Sequence, residues 1–349
     1  MEINLDEIPF GIDFHPSCSL VAAAIISGNI DVYKYDEADL SHKRLFDVNA
    51  HSESCRALRF NHNGEVILSV SSDRSILATN VETGSPIVRL ENAHEDSISS
   101  LINISESTVA TGDDQGCIKV WDTRQRTCCN SFNAHDDYVS DLTFTPDSMK
   151  LLAASGDGTL SVCNIRSNKV QTRSEFSEED LLSIVIMKNG RKVVCGSQSG
   201  TLLLYSWGFF KDCSDRFTGL TPNSVDALLK LDEDRLITGT ENGLISLINI
   251  LPNQIVCPLA EHSEYPIERL AMSHDRKCLG SISHDRTLKL WDLEDLLQNS
   301  NQTQHTSNDS DGNDDTTIME VDTNPPKPGK GNKSRSNSNR MDNNFFADL

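Results

Sequence analysis

Apolar and polar positions alternate along most of this chain in short runs of five or six residues, and one such run recurs seven times. Read with the residue two places before it and the polar residue after it, the recurring run is Gly/Arg-x-Ile/Leu-x-apolar-x-polar, with its aliphatic anchor at Ile30, Ile76, Ile118, Leu160, Leu202, Ile245 and Leu288. Successive anchors lie 46, 42, 42, 42, 43 and 43 residues apart. Strict alternation over so few residues predicts half-buried strands, and a period of roughly 40–45 residues built from them predicts a β-propeller.

A second apolar register supports the repeat. Sixteen residues before each anchor stand Phe14, Phe60, Ile102, Phe144, Ile186, Leu229 and Met272. Turn-forming residues follow several of them, as in His15-Pro16-Ser17, Asn61-His62-Asn63-Gly64 and Thr145-Pro146-Asp147. The next runs, such as Leu20–Ile26 and Leu151–Ala154, are apolar and rich in small residues, as suits strands covered on both faces by neighbouring blades. Each unit therefore holds an inner strand, a turn, a middle strand and a third strand at fixed offsets.

Trp121-Asp122 and Trp291-Asp292 close two of the third strands, and Asn49-Ala50-His51, Asn92-Ala93-His94, Asn133-Ala134-His135 and Glu261-His262 precede units. On these residues the chain resembles the WD40-repeat family. The resemblance implies an all-β, seven-bladed propeller in which a histidine, a strand hydroxyl, a turn aspartate and the tryptophan share hydrogen bonds. In the last unit that structural network falls to His262, Ser281 or Ser283 (Ser283 is preferred), Asp285 and Trp291, and Asp73 and Asp157 match the turn aspartate of their own units. Cys163, Tyr205 and Ile248 stand in the tryptophan place of units four to six, and no histidine precedes units five and six, so their networks are expected to be incomplete.

The predicted propeller covers residues 1–298, with blades near 9–51, 52–94, 95–135, 136–177, 178–220, 221–262 and 263–295. The last unit lacks an outer strand of its own, and residues 1–8, with the Ile3–Ile8 segment, have no other partner. They are expected to complete the last blade and close the ring. From residue 299 to 349 Asn, Ser, Asp, Thr, Gly and Pro dominate, which predicts a disordered tail. Its acidic stretch runs from Asp309 to Asp315, a diluted basic stretch follows, and it ends in Phe345-Phe346-Ala347-Asp348-Leu349, where Phe345, Phe346 and Leu349 form a candidate docking motif.

Composition bears on partners more than on fold. The formal net charge of −21 argues against direct binding of nucleic acid or anionic membranes. Ten scattered cysteines without a Cys-x-x-Cys read as reduced, buried small hydrophobes. There is no secretory leader and no 18-residue apolar run, so a soluble nuclear or cytoplasmic protein is expected.

No nucleophile elbow, P-loop, dinucleotide fingerprint or His-Glu-x-x-His pattern occurs. The chain is expected to be no enzyme, to need no cofactor or metal, and to bind proteins. Its one local motif with functional content is Trp121-Asp122-Thr123-Arg124, which resembles the Trp-Asp-x-Arg box of WD40 substrate receptors. The resemblance implies docking on the adaptor of a cullin-RING ligase of the cullin-four type, the large damaged-DNA-binding protein subunit. Arg124 is the leading contact residue, with Trp121, Asp122, Asp114, Ile118 and Val120 as companions.

Phe10–Pro16, Glu53-Ser54-Cys55-Arg56, Ser161-Val162-Cys163-Asn164, Trp207-Gly208-Phe209-Phe210-Lys211 and the final five residues extend the resemblance to the family of WD repeat-containing protein 55, most of all its plant members. That resemblance implies a nuclear or nucleolar scaffold with one of two roles. One is ubiquitin-ligase adaptor binding, with a part in development. The other is ribosomal RNA synthesis and ribosome production, with ribosome-biogenesis factors as partners. The Trp207–Phe210 run is either an exposed partner patch or a cover for a blade edge.

Overall fold

A computed structural model describes residues 1–36 and 41–298. Its strands form seven four-stranded antiparallel sheets, each made of strands consecutive in the chain except the last. Blade 1 contains Pro9–Phe14, Leu20–Ile25, Asn29–Asp36 and Ser41–Asn49. Blade 3 contains Ile98–Ser105, Thr108–Asp113, Cys117–Asp122 and Thr127–Asn133. Blade 7 takes Ile267–Met272, Cys278–Ser283 and Thr287–Asp292 from the end of the repeat array, and its outer strand, Glu2–Asn4, from the start of the chain.

That last pairing closes the propeller. Glu2, Ile3 and Asn4 lie opposite Lys289, Leu288 and Thr287. Met1 extends the ladder by exchanging hydrogen bonds with Leu290 at 2.7 and 2.8 Å. Ile3 is fully buried in a cluster with Leu288, Leu290, Tyr33 and Tyr35, so the closing strand joins blade 7 to blade 1 through its side chains as well as its backbone.

The repeat pattern has a direct geometric cause. All seven anchors are buried. Two residues before each anchor stand Gly28, Arg74, Gly116, Gly158, Gly200, Gly243 and Arg286, and all seven have φ between 65° and 91°. The tight turn from the second to the third strand needs a left-handed residue there, which is why glycine fills five of the seven places. At Gly28 and Gly116 a β-carbon would also lie 2.4 Å from the carbonyl oxygens of His51 and His135.

Neighbouring blades are tied by partly buried polar contacts as well as by apolar packing. Asp13 of blade 1 accepts the backbone N–H of Phe60 in blade 2 at 2.8 Å, and Asp141 of blade 4 accepts that of Ile184 in blade 5 at 3.0 Å. Burial raises the Asp13 carboxyl above its ordinary range despite Arg59 and the Phe60 hydrogen bond.

The histidine networks form, with one correction. In blade 7, burial lowers the pKa of His262 against the opposing pull of Asp285. Its Nδ1 faces Asp285 at 2.9 Å and its Nε2 meets the Ser281 hydroxyl at 2.8 Å, which in turn accepts the Trp291 indole N–H at 2.9 Å. The hydroxyl in this network is Ser281. Ser283 instead donates to the Tyr265 carbonyl and accepts from the Asp285 backbone at the turn. Blade 3 repeats the arrangement with His94, Thr111, Asp113 and Trp121.

Blade 2 uses His51, Ser69, Asp73 and Ser75 without a tryptophan. Blade 4 joins His135 to Asp157 and Thr159, but Ala153 occupies the place of Ser69, Thr111 and Ser281, and His135 Nε2 has no hydrogen-bond partner. Blades 5 and 6 hold the equivalent turns with Ser197, Ser199 and Thr201 and with Thr240 and Asn242. Blade 1 lacks the network too: Arg44 and the Tyr33 hydroxyl converge on buried Asp31 at 2.7 and 3.2 Å.

All ten cysteines are free, and five of them are buried: Cys55, Cys163, Cys195, Cys257 and Cys278. Cys18, Cys128 and Cys129 are exposed, against the expectation that all fill the core. No helix among the described residues is long and apolar enough to cross a membrane. The tail residues 299–349, with Phe345, Phe346 and Leu349, lie outside the described residues.

Candidate protein-interaction site

The third strand of blade 3, Cys117–Asp122, sends alternate side chains to opposite faces. Ile118 and Val120 are at most 1% exposed and pack against Phe132, Val139 and Leu151 toward blade 4. They belong to the core, and a partner cannot touch them without unfolding the blade. This corrects their assignment as contact residues. The alternation itself explains the result, since two residues flanking Lys119 share its opposite face.

Asp114 is corrected as well. It sits in the turn before this strand, whereas Arg124 sits in the turn after it, and a six-residue strand separates them by about 20 Å. Asp114 is engaged by Arg56 of blade 2 at 2.9 and 3.1 Å. Burial raises its carboxyl above the ordinary range even with Arg56 beside it. Its neighbour Asp113 is bound to His94 at 2.7 Å and fixes the turn by accepting the backbone N–H groups of Gln115 and Cys117.

At the other end of the strand, three residues of the box have three separate tasks. Trp121 is 7% exposed, and its indole N–H is held by Thr111 at 2.9 Å. Asp122 caps the following turn: its Oδ1 accepts the backbone N–H groups of Arg124 and Gln125, both at 2.8 Å. The turn is completed by Arg126, in left-handed conformation, whose N–H bonds the Asp122 carbonyl at 2.8 Å. Arg124 is left projecting, with its side chain 73% exposed and a single ion contact of 3.9 Å to Glu106, itself 81% exposed. An exposed pair at that distance contributes little, so the guanidinium is available to a partner.

The third strands of blades 4 and 7 do not reproduce this geometry. In blade 4, Asn164 caps Ser167 rather than Arg166. In blade 7, Asp292 accepts the N–H of Asp295 at 3.0 Å and starts a short helix over residues 293–298, so Glu294 lies in a helical turn.

Beside the box a cleft of about 300 Å³ runs between blades 2 and 3, bordered by His62, Ile87, Asn103, Arg124 and Arg126. Ile87 is 52% exposed at its edge. The cleft leaves no signal in the sequence, because its walls come from two repeats that are adjacent only in space. The Trp207–Phe210 run divides between its two readings. Trp207 and Phe210 stack edge-to-face at 5.3 Å and Phe210 is buried, while Phe209 points outward at 78% exposure.

His94, Asp113 and Cys117 bring three ligand-type atoms within 4.8 Å of one another. Both ring nitrogens of His94 are already committed, to Asp113 and Thr111, so this trio is part of the scaffold. A further cavity of about 470 Å³ is bordered by Arg56, Tyr138, Asp226, Glu268 and Arg269.

A seven-bladed WD40 propeller whose buried histidines all serve its own turns is a protein-interaction scaffold, and its class is in general non-catalytic. A family model described as WDR55 matches residues 1–296, and the chain belongs to that family. It is 64% identical over 301 residues to WD repeat-containing protein 55 of Arabidopsis thaliana, covering 86% of this chain and 85% of the relative. It is 39% identical over 295 residues to the Bos taurus protein of that name and 38% identical over 295 residues to the Homo sapiens one, covering 84% of this chain and 77% of each relative.

Proposed function

We propose that this scaffold is a substrate receptor of a cullin-four-type cullin-RING ubiquitin ligase, and that Arg124 docks the ligase adaptor, the large damaged-DNA-binding protein subunit. The observation that supports the reading is the division of labour in residues 121–124. Trp121 and Asp122 are consumed in building the blade and the turn, and their result is one arginine held outward with nothing strong to bind. A guanidinium displayed on a rigid turn loses little entropy on binding and forms charge-assisted hydrogen bonds with carbonyl or carboxylate groups.

The test is co-purification of the adaptor with the wild-type chain and with Arg124→Ala. Loss of the adaptor on substitution, with unchanged thermal melting, supports the receptor. Equal recovery from both, or none from the wild type, rejects it in favour of a nuclear or nucleolar scaffold for ribosomal RNA synthesis and ribosome production, in which the box is purely structural. The receptor reading places the protein in nucleus and cytoplasm, and cell fractionation checks it.

A further inference from the structure

Every third strand carries a core residue two places after its anchor. In chain order these are Val32, Ala78, Val120, Val162, Leu204, Leu247 and Leu290. Blade 2 alone has alanine there. The methyl group of Ala78 faces blade 3, and the volume that valine or leucine fills elsewhere is open. The result is a slot of about 190 Å³ walled by Leu68, Ile76, Val88, Val109 and Trp121. Apolar cavities of about 150 Å³ hold a benzene-sized group.

The slot is bordered by Arg89, which donates to Ser75, and by the carboxylate of Asp122, whose Oδ1 is taken up by the N–H groups of Arg124 and Gln125. Arg126 borders it directly and makes no side-chain ion pair among the described residues; Arg124 borders the adjoining cleft. Among the described residues the one carboxylate on that cleft is Glu106, in its 3.9 Å contact with Arg124. On a chain of net charge −21, a slot and cleft bordered by three arginines (Arg89, Arg124 and Arg126) against two carboxylates (Glu106 and Asp122) stand out as locally cationic.

We propose that this slot takes one bulky apolar side chain, phenylalanine or leucine, from a partner segment whose flanking residues are acidic. The apolar group replaces the missing Ala78 side-chain volume against Trp121, and the flanking carboxylates pair with Arg126 and Arg124. The proposal rests on the reading of Arg124 as a partner contact for half of its charge recognition. The apolar half depends on Ala78 alone.

The test uses the full chain and a fluorescein-labelled synthetic peptide, Glu-Asp-Phe-Asp-Glu, titrated by fluorescence anisotropy at low salt. Ala78→Leu installs the residue that blades 5 to 7 carry and closes the slot; Ala78→Val, as in blades 1, 3 and 4, serves if the leucine does not fold. The expected result is binding to wild type, weakened at least tenfold by the filling substitution with unchanged or higher melting temperature. Arg126→Glu, and replacement of the peptide phenylalanine by alanine, weaken it comparably. Equal binding to wild type and the filled variant, or no binding to wild type, overturns the proposal. So does stronger, slot-dependent binding of a synthetic peptide of residues 341–349, which makes the occupant the chain's own segment.

Measuring the purified adaptor against the same variants separates the two readings. Adaptor binding that is lost with Arg124→Ala but kept with Ala78→Leu leaves the receptor reading standing and removes the slot from it. Peptide binding at the slot without adaptor binding does the reverse.

Discussion

The carboxylate of Asp122 holds the backbone N–H of Arg124 at 2.8 Å, and this one bond converts a residue shared by many WD40 blades into a positioning device for its neighbour. The same carboxylate oxygen takes the N–H of Gln125, so the turn has little freedom to rotate the arginine away. Replacing Asp122 by Ala should therefore weaken partner binding without touching the guanidinium, and Asp122→Asn, which keeps an acceptor, should restore most of it. Adaptor affinity measured for both variants checks this.

The hydroxyl of Ser281 stands between the ring nitrogens of buried His262 and half-buried Trp291, so Ser281→Ala should destabilise the domain by about 2–3 kcal/mol, and Ser283→Ala by about 1 kcal/mol. The converse change is informative. Ala153→Ser should give His135 Nε2 the partner it lacks and stabilise by about 1 kcal/mol. Denaturant unfolding of the three variants checks the set.

The closing strand is short, but its one fully buried side chain is large. Ile3→Ala should cost about 2–4 kcal/mol, in the range for a buried isoleucine, and removal of residues 1–8 should lower the melting temperature of the whole propeller. An unchanged melting temperature would place ring closure elsewhere.

Asp226 is pushed up to about 6, first by burial and then by Glu268 and Glu241, against a hydrogen bond from Ser224. A carboxyl whose folded pKa lies above its unfolded value near 3.8 binds more protons in the native state. Its protonated form is favourable below that range, and stability is lost as pH rises from about 4 through about 6. Asp226→Asn should remove this loss and stabilise by about 1–2 kcal/mol at neutral pH, with no gain at pH 4. Asp73 acts oppositely. Burial alone would raise it, but the Ser75 hydroxyl and His51 bring it down to about 2, so its contribution is present above about 4 and fades toward pH 2. Melting temperature against pH for wild type and Asp226→Asn resolves the first effect from the second.

Much of this architecture is legible in the chain because each blade repeats the same physical demands. A left-handed turn needs Gly28 or Gly116, a covered strand needs Ile30 or Ile118, and an unpaired edge needs the Ile3 segment. What escapes is whatever depends on register or on contacts between repeats. Ser281 and Ser283 point to the same face by the two-residue period, and only their distance from Trp291 selects the first. Asp114 and Arg124 are near in sequence but at opposite ends of a strand. The vacancy at Ala78 has meaning only once Trp121 of the next blade is seen to form its other wall.

The central claim is that Trp121 supports the blade while Arg124 supports the partner. It is tested most directly by measuring adaptor affinity and unfolding free energy for Trp121→Phe and Arg124→Ala side by side. Trp121→Phe should lose about 1–2 kcal/mol of stability with the indole hydrogen bond and keep its affinity. Arg124→Ala should keep its stability within about 0.5 kcal/mol and lose at least about 2 kcal/mol of binding. Full adaptor affinity in Arg124→Ala would contradict the account.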